Sequence, residues 1–503
     1  MRHQHRRQGI RRRSTVVQRR SCRRTLGYLG LLAAALALPA ILTLRGGGSR
    51  FVRNFSFKVP VEPGVWKGIA EDIPSSPRSA HKVPVEPGVW KGIAEDIPSS
   101  PRSAHDIHIV FSTDCSPYQN YQSILLFNSA EVVGQRGPVT RVASGCSEQE
   151  RQDLRELMKG QPERFRVHFT PDYSWDVATG EQFMFYNKPN GMAHFLKYAD
   201  PPVQEAVVAL LDPDMILLSE LTPYVGDRAT MLWHDGHSAE GPDWVMEGQP
   251  VAQYYGLGGY WVGWDDLRDI TKELGPNSPA NEVEEREAAS GYPVGPPYLL
   301  HPFDWARVID LWVQLCPKVF RGHPSILAEM YGYCIAAAHI GLRHRVAYGM
   351  MVSDTKMEKE GWPLVDHLES SACDAVAIAE SRGRLPPVLH YCQMYRVGTY
   401  MFGKRHKSHH TFFTCDADSL QMPPPGYLAG PMGKVKVHPG WTEHITAATG
   451  ARLGYMMCSI LRAMNMAQAA YKRRYCRPEE IHTGVRRFTD LPQAAVAQNV
   501  YGR

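Results

Sequence analysis

The sequence predicts an α/β fold with a mostly parallel sheet and flanking helices, preceded by one transmembrane helix. Three observations support this prediction. Short apolar strands alternate with helix-like stretches between residues 106 and 211, and this order is typical of parallel sheets. An uncharged run of nineteen residues lies near the N-terminus. With 503 residues, of which 43% are hydrophobic, the chain is long enough to bury a large core.

The first 25 residues are predicted to form a basic cytosolic tail. They contain ten arginines and no acidic residue. Removing these ten from the 56 basic residues of the chain leaves 46 against 51 acidic residues, a net charge of −5. The folded part therefore has no general signature of nucleic-acid binding, and we expect no nucleic-acid partner.

The segment Leu26–Leu44, LGYLGLLAAALALPAILTL, is predicted to be a transmembrane signal anchor. A helix rises about 1.5 Å per residue, so these residues suffice to cross a hydrocarbon core of roughly 30 Å. Arginines crowd the N-terminal flank, which places the N-terminus in the cytosol and the rest of the chain in the lumen or outside the cell. A cleaved signal peptide is the alternative, because ALALPA offers small residues for cleavage.

Residues 45–105 are predicted to form a stem. They contain KVPVEPGVWKGIAEDIPSSPRSAH twice, letter for letter, at Lys58–His81 and again at Lys82–His105. Two identical copies rich in Pro, Ser and Gly cannot bury a core of their own, since repeat proteins need at least three units to do so. We interpret the duplication as a mostly extended spacer or as an artefact of sequence assembly.

The catalytic domain is predicted to span residues 106–437, followed by a helical extension at 438–503. Its first half reads as four strands that alternate with three helices. Ser147 and Glu150 are predicted to form a capping box at the start of the second helix. The predicted strands are Ile107–Ser112, Val139–Gly145, Phe165–Thr170 and Val207–Leu211. In sheets of this kind, ligands bind beyond the carboxyl ends of the strands.

Asp212 and Asp214 directly follow the fourth predicted strand, in VVALLDPDMILL. Ionised carboxylates are rarely left unpaired in an apolar setting. Two of them at the end of a buried strand suit a hard divalent cation, which in turn can hold a diphosphate. Asp-Pro-Asp is also good turn chemistry, so a simple turn is the alternative. The chain has no Walker A, H-E-x-x-H or C-x-x-C motif that would favour other chemistry.

Eight blocks of the sequence together resemble the hydroxyproline O-arabinosyltransferases and the related peptidyl-serine α-galactosyltransferases of plants and green algae. The blocks appear in the order of the family between Ile107 and Arg405. They are HIVFSTDCSPYQNYQS, GPVTRVASGCS, HFTPDYS, YNKPNG, LLDPDMILL, GQPVAQYYGLGGYWV, AEMYGYCIAAAHIGLRH and PPVLHYCQMYRVGTYMFGKR. The resemblance implies a GT-A-like nucleotide-sugar transferase fold. It also implies a type II membrane protein of the Golgi or another secretory compartment, with the catalytic domain in the lumen.

The resemblance implies that Asp212 and Asp214 bind Mn²⁺ (or Mg²⁺) and, through it, a UDP-sugar donor. Asn187 and Lys188 match the family's NKP block. There we expect Lys188 to contact phosphate or sugar, with a solvated surface lysine as the alternative. His390 follows an apolar pair at the end of a predicted strand, so we expect it to complete the metal shell. A structural histidine is the alternative.

Three more residues are predicted at the site. Glu329 and Tyr331, in EMYGY, are predicted on a mostly apolar helix, where a carboxylate needs a partner. We expect them to contact the acceptor or the donor sugar, with Glu329 catalytic. A buried ion pair with an arginine is the alternative. Tyr255, in YYGLGGYWVGW, is predicted to bind substrate, although such an aromatic cluster often belongs to a core. The basic segment 403–410, GKRHKSHH, is either a diphosphate contact or a solvated loop.

The sequence therefore predicts a metal-dependent protein O-glycosyltransferase. It would move a sugar from a UDP-sugar to hydroxyproline or serine of hydroxyproline-rich secretory proteins, with retention of anomeric configuration implied by the resemblance. A catalytically inactive, sugar-binding homologue and a membrane-anchored scaffold are the alternatives. No residue decides between arabinofuranose and galactose, or between hydroxyproline and serine.

Overall fold

A computed structural model describes residues 90–371, 384–397, 400–423, 433–438 and 441–486. The predicted cytosolic tail, the predicted anchor Leu26–Leu44 and the first repeat copy lie outside these residues. Among the helices that are described, none combines the length and the apolar character needed to cross a membrane.

A seven-stranded sheet forms the centre of the fold, with strand order β3-β2-β1-β4-β7-β6-β8. Its strands are β1 (Ile107–Asp114), β2 (Val139–Ser144), β3 (Phe165–Thr170), β4 (Val207–Leu211), β6 (Val251–Tyr254), β7 (Val294–Leu300) and β8 (Arg345–Ala347). Six strands run parallel, whereas β7 is antiparallel to both of its neighbours. The predicted mostly parallel sheet is confirmed.

Strand β4 shows why the sheet needs helices on both faces. All five of its residues are buried. Val208 and Leu210 point into one hydrophobic cluster, whereas Val207, Ala209 and Leu211 point into another. Side chains alternate along a strand, so an unbroken apolar run implies that both faces are covered.

Twelve α-helices are described, and they surround this sheet or extend from it. They are α1 (Pro117–Val132), α2 (Glu148–Lys159), α3 (Asn187–Tyr198), α4 (Arg228–Met231), α5 (Gly236–Ala239), α6 (Gly258–Gly263), α7 (Asp265–Lys272), α8 (Pro279–Glu282), α9 (Glu285–Gly291), α10 (Pro302–Gly322), α11 (Ala328–His339) and α12 (Ala447–Tyr475). The predicted capping box is present at the start of α2, where the side chains of Ser147 and Glu150 bond each other's backbone.

A smaller sheet brings a late part of the chain next to the end of β4. It consists of β5 (Met215–Leu217), β9 (Met351–Val352) and β10 (Val388–His390), in the order β5-β10-β9. His390 is paired with Met215 across the antiparallel β5–β10 ladder. This pairing places His390 beside Asp214, although the two residues are far apart in the chain.

The remaining strands form three two-stranded sheets in the C-terminal part. They are β11 (Met394–Val397) with β12 (Tyr400–Gly403), β13 (Ser419–Leu420) with β16 (Val485–Arg486), and β14 (Gly433–His438) with β15 (Trp441–Ile445). Helix α12, in the predicted extension, buries Met456 and Met457 in one cluster with Tyr121 and Leu125 of α1. The extension therefore shares a core with the first helix of the domain.

The end of the second repeat copy also packs against the domain. Ile93 and Ile97 are buried in a cluster with residues of α3 and α10. The backbone N–H of Ala94 donates to the Val203 carbonyl at 2.9 Å, and that of Val203 donates to the Gly92 carbonyl at 2.8 Å. A Cβ atom on Gly92 would lie 2.5 Å from the Phe195 carbonyl oxygen. These residues were predicted to belong to the stem. Their apolar side chains instead pack against the domain, which the sequence did not indicate.

Disulfides join Cys115 to Cys146 and Cys415 to Cys476. Within the described part of the chain, Cys316, Cys334 and Cys392 are free thiols. The spacing of cysteines along a chain does not specify such pairs.

Candidate active site

The turn Asp212-Pro213-Asp214 carries two carboxylates from the end of β4 to the start of β5. Asp214 is only 5% exposed, and its Oδ1 lies 3.2 Å from Nε2 of His390. An Oδ2 atom of Asp212 lies 4.0 Å from the same nitrogen. One ligand atom of each of the three residues lies within 4.8 Å of the others. The structure thus brings together all three predicted metal ligands.

Two lysines neutralise these carboxylates. The ammonium group of Lys404 donates to Oδ2 of Asp214. Nζ of Lys188 lies 2.7 Å from Oδ1 of Asp212 and 2.6 Å from Oε1 of Glu329. Lys188 is 8% exposed and Glu329 is 2% exposed, whereas the side chain of Asp212 is 18% exposed. The three groups form a row of alternating charge that is buried at Lys188 and Glu329 and partly exposed at Asp212. The predicted partner of Glu329 was an arginine, whereas the structure supplies Lys188.

The pKa shifts show that Asp214 and Lys188 are ionised at neutral pH. Burial alone would raise the pKa of Asp214, but Lys404 and His390 outweigh it and hold the pKa well below its usual range. Burial alone would lower the pKa of Lys188, but Asp212 and Glu329 hold it above its usual range. Charged groups are tolerated here because each has an opposite charge in contact.

Glu329 differs from the other carboxylates of the site. Burial raises its pKa, and the neighbouring charge of Asp212 adds to the rise, while Lys188 opposes it. Its Oε2 atom is buried and has no hydrogen-bond partner among the described residues. A buried oxygen of this kind carries an unmet demand for a donor.

Asn187 and Tyr331 have structural partners. Oδ1 of Asn187 accepts from the backbone N–H of Tyr173 at 2.8 Å, which ties the preceding loop to the start of α3 and places Lys188. Tyr331 is 2% exposed, and its ring packs 5.7 Å from the rings of both Trp264 and His323. Their predicted substrate contacts stay predictions.

Tyr255 contacts a predicted metal ligand. Its hydroxyl lies 3.3 Å from Nδ1 of His390, on the side of the ring opposite Asp214. A hydrogen bond to one ring nitrogen decides which tautomer a histidine adopts and holds the ring in place. The position of Tyr255 therefore suits the orientation of His390 for metal binding.

Sequence reasoning had treated Lys404 only as part of a basic segment. The signal available in the sequence was its position directly after a strand, since β12 ends at Gly403. In the structure, the hydroxyl of Tyr121 donates a hydrogen bond to the Lys404 carbonyl and so holds this residue in place. A basic residue at a strand end, in a chain with a strand-end pair of aspartates, is a candidate for the same site.

The residues at the end of β4 fit a divalent cation. Two carboxylate oxygens and one imidazole nitrogen form a ligand set that Mn²⁺ accepts, and Mg²⁺ is compatible with the two carboxylates. Each carboxylate already contacts a positive charge from a lysine. A cation bound to both aspartates would share them with Lys188 and Lys404 or displace the lysine ammonium groups.

Comparisons with known proteins agree with the resemblance seen in the sequence blocks. The chain is 26% identical over 268 residues to the peptidyl serine alpha-galactosyltransferase of Arabidopsis thaliana, covering 51% of this chain and 29% of that protein. It is 25% identical over 283 residues to the protein of the same name from Chlamydomonas reinhardtii, covering 52% and 34%. The chain spans about a third of the length of these relatives. The two relatives confirm the resemblance to this family. No model of a protein family matches the chain.

Solved structures with some similarity include two glycosyltransferases. The galactosyltransferase LgtC in complex with donor and acceptor sugar analogs is 14% identical, with a TM-score of 0.32, covering 61% of this chain and 93% of that one. The bifunctional glycosyltransferase WbbM is 11% identical, also with a TM-score of 0.32, covering 60% and 47%.

Proposed function

We propose that the chain is a metal-dependent, GT-A-like glycosyltransferase that moves a sugar from a UDP-sugar to hydroxyproline or serine of hydroxyproline-rich proteins. One observation carries the proposal: Asp212, Asp214 and His390 converge where β4 ends, with ligand atoms within 4.8 Å of one another. The names of the two relatives support sugar transfer to serine. The intact cluster speaks against an inactive sugar-binding homologue.

Asp212, Asp214 and His390 are the residues that would hold the cation, Mn²⁺ or Mg²⁺. Bound there, it would neutralise the negative charge that develops on the departing UDP. Lys404 is placed to assist, because its ammonium group lies at Asp214 and its side chain is 22% exposed. It can turn from the carboxylate to a diphosphate oxygen without leaving the site.

Glu329 and Lys188 are assigned to orienting the transferred sugar or the acceptor. The unpartnered Oε2 of Glu329 can accept a hydrogen bond from a sugar or acceptor hydroxyl and so orient it. Lys188 holds Glu329 and Asp212 in place from between them. The acceptor oxygen then forms the new bond to the anomeric carbon while the bond to UDP breaks, and the hydroxyl proton passes to a phosphate oxygen of the departing UDP. The family resemblance implies retention of configuration.

The proposed location is a Golgi or other secretory-pathway membrane, with one spanning helix at Leu26–Leu44 and the catalytic domain in the lumen. Two disulfides in the described residues support an oxidising compartment. The donor sugar is left open by this proposal.

The decisive variant is Asp214→Asn, which keeps the size of the side chain but removes a charge that the cation needs. We expect transfer to fall at least about a hundredfold, because metal assistance to a leaving diphosphate is worth several kcal/mol. UDP binding should also lose its dependence on Mn²⁺. The domain should stay folded, since Asn still accepts a hydrogen bond and Lys404 can reach solvent.

The measurement combines calorimetric UDP titrations, with and without Mn²⁺, and transfer assays with UDP-galactose and UDP-arabinofuranose on serine and hydroxyproline peptides. Asp235→Asn is the matched control, because Asp235 caps a short helix and Asn serves equally well there. Near-normal transfer by Asp214→Asn would end the assignment of the metal site.

A further inference from the structure

We propose that a cleft between α1 and α2 is a docking subsite for the polypeptide acceptor, and that it takes an extended, proline-rich segment carrying a lysine or arginine. The inference rests on the proposed function, because it assumes that the acceptor is a polypeptide. The cleft has a volume of about 250 Å³ and is closed on its third side by the C-terminal part of the chain.

Aromatic rings form much of the cleft wall. It is lined by Tyr121 of α1, by Tyr471 of α12, and by His410 and Phe413. His410 and Tyr471 are partly exposed, whereas Tyr121 and Phe413 are buried at 2% and 7% exposure. The rings of Tyr121 and His410 stack with centroids 6.4 Å apart, and those of Phe413 and Tyr471 lie 6.1 Å apart. Grooves lined by aromatic rings bind proline-rich segments, because such segments are already extended and lose little entropy on docking.

Acidic side chains form the α2 wall of the cleft. Glu150 and Asp153 both line it, and hydrogen bonds from Ser147 lower the pKa of Glu150, so it is ionised at neutral pH. The nearby arginines of the same helix, Arg151 and Arg155, lie over the ring of Phe169 at 5.4 and 5.2 Å. Among the described residues, no ion pair uses Glu150 or Asp153, so their charge is available to a basic residue of a partner.

The cleft adjoins the proposed catalytic site. The Tyr121 hydroxyl donates to the carbonyl of Lys404, whose ammonium group contacts Asp214. Helices α1 and α2 begin where β1 and β2 end, and these strands are parallel to β4. The cleft therefore opens at the edge of the sheet where Asp212 lies, so a chain seated in it can continue to the reacting atoms.

The test is direct binding of a fluorescently labelled, proline-rich peptide with one serine and one lysine to the full chain, measured by anisotropy. Asp153→Lys reverses a charge at an exposed cleft position. We expect it to weaken binding about fivefold, the scale of a lost, partly exposed ion pair plus a new repulsion. Glu156→Lys is the matched control, because Glu156 is exposed on the same helix outside the cleft and should leave binding unchanged.

A charge swap makes the test specific. A peptide with glutamate in place of lysine should bind the Asp153→Lys variant better than it binds the wild-type protein. Equal affinity of the wild-type protein and Asp153→Lys for the lysine peptide would overturn the proposal, as would an equal loss in Glu156→Lys. UDP-galactose transfer is measured in parallel. Transfer from UDP-arabinofuranose, and to a matching peptide with hydroxyproline in place of serine, is measured as well. Peptide binding with the expected charge dependence but without transfer from either donor to either peptide would overturn the proposed function and leave the docking subsite standing.

Discussion

Lys188 shows how a single residue controls the charge of the site. It is buried between Asp212 and Glu329, with contacts of 2.7 and 2.6 Å. Asp212 belongs to the predicted metal cluster, and Glu329 has the unpartnered oxygen. Removing the charge of Lys188 therefore affects both the predicted metal ligand Asp212 and the carboxylate of Glu329.

We expect Lys188→Met to lower the free energy of unfolding by about 3–5 kcal/mol, because it leaves buried carboxylates without their cation. Urea unfolding measures the loss. Lys318→Met is the control, since Lys318 and Glu273 form an ion pair in which both side chains are at least 40% exposed and which should be worth less than about 1 kcal/mol. Similar losses of unfolding free energy in Lys188→Met and Lys318→Met would show that burial does not make the contacts of Lys188 more important for stability than those of an exposed pair.

Tyr255 offers a second test at the residue scale. Removing its hydroxyl in Tyr255→Phe leaves Nδ1 of His390 without this partner, so we expect Mn²⁺ affinity to fall by about 10- to 100-fold. Calorimetric Mn²⁺ titration measures it without reliance on turnover. Tyr333→Phe removes a similar contact, at 2.8 Å from Nε2 of His344, away from the cluster, and should leave Mn²⁺ affinity unchanged. Unchanged affinity in Tyr255→Phe would show that Tyr255 does not position His390.

The sequence was sufficient to predict that Asp212, Asp214 and His390 come together, but not the charge network around them. Asp212 and Asp214 could be found because two carboxylates interrupt an apolar run, and His390 because it ends a short apolar strand. The bond between Lys188 and Glu329 joins residues 141 positions apart. Nothing in either local pattern specifies that partner. The two residues meet because α3 and α11 both pack against α10.

At the scale of elements, the first half of the sheet could be predicted and the second half could not. Strands β1 to β4 alternate with helices and contain simple apolar runs. Strand β7 reads VGPPYLL, and two prolines argue against a central strand because proline cannot donate to the ladder. The structure accommodates Pro296 and Pro297 at an irregularity, where the register with β6 shifts between Ala252 and Gln253.

A buried carboxylate, that of Glu360, holds the loop after β9 in its conformation. Glu360 is 4% exposed and accepts hydrogen bonds from the backbone and hydroxyl of Ser353 and from the backbone of Asp354. Burial raises its pKa to about 7, although these bonds oppose the rise. The same loop lies near the predicted metal ligand His390, since Tyr395 donates from its hydroxyl to the carbonyls of both Ser353 and His390.

This loop should make stability depend on pH. Between the usual glutamate pKa of about 4.3 and a folded-state pKa of about 7, the folded protein keeps a proton that the unfolded chain has released. The free energy of unfolding therefore falls as pH rises through this window and levels off above it. From pH 5.5 to 8.0 we expect the wild-type protein to lose about 2 kcal/mol more than Glu360→Gln. Urea unfolding at both pH values measures the difference. Equal losses of unfolding free energy in the wild-type protein and in Glu360→Gln would refute the prediction.

At the scale of the whole molecule, both ends of the described chain pack against the rest of the domain. Arg474 of α12 bonds Glu131 of α1, 343 positions earlier, and the Cys415–Cys476 disulfide holds the end of α12. At the other end, Ile93 and Ile97 of the second repeat copy are buried. Apolar spacing predicted that α12 is a helix, but it could not indicate which surface the helix covers.

The repeat gives a prediction for the whole chain. Deleting residues 58–81 leaves the same 24-residue copy directly before Asp106, so the melting temperature should not change. Deleting residues 58–105 also removes the packed segment, and the loss of two buried isoleucines should cost roughly 3 kcal/mol or more. Thermal unfolding of the two deletion variants checks this, and equal melting temperatures would show that the segment adds no stability.

The packing of the last copy also bears on the history of the gene. Any gain or loss of a whole copy upstream leaves the residues next to Asp106 unaltered. The packing seen at Ile93 and Ile97 constrains the sequence of the last copy. Agreement at all 24 positions is what either a recent duplication or an error of sequence assembly leaves behind, and re-sequencing the gene across residues 58–105 distinguishes the two.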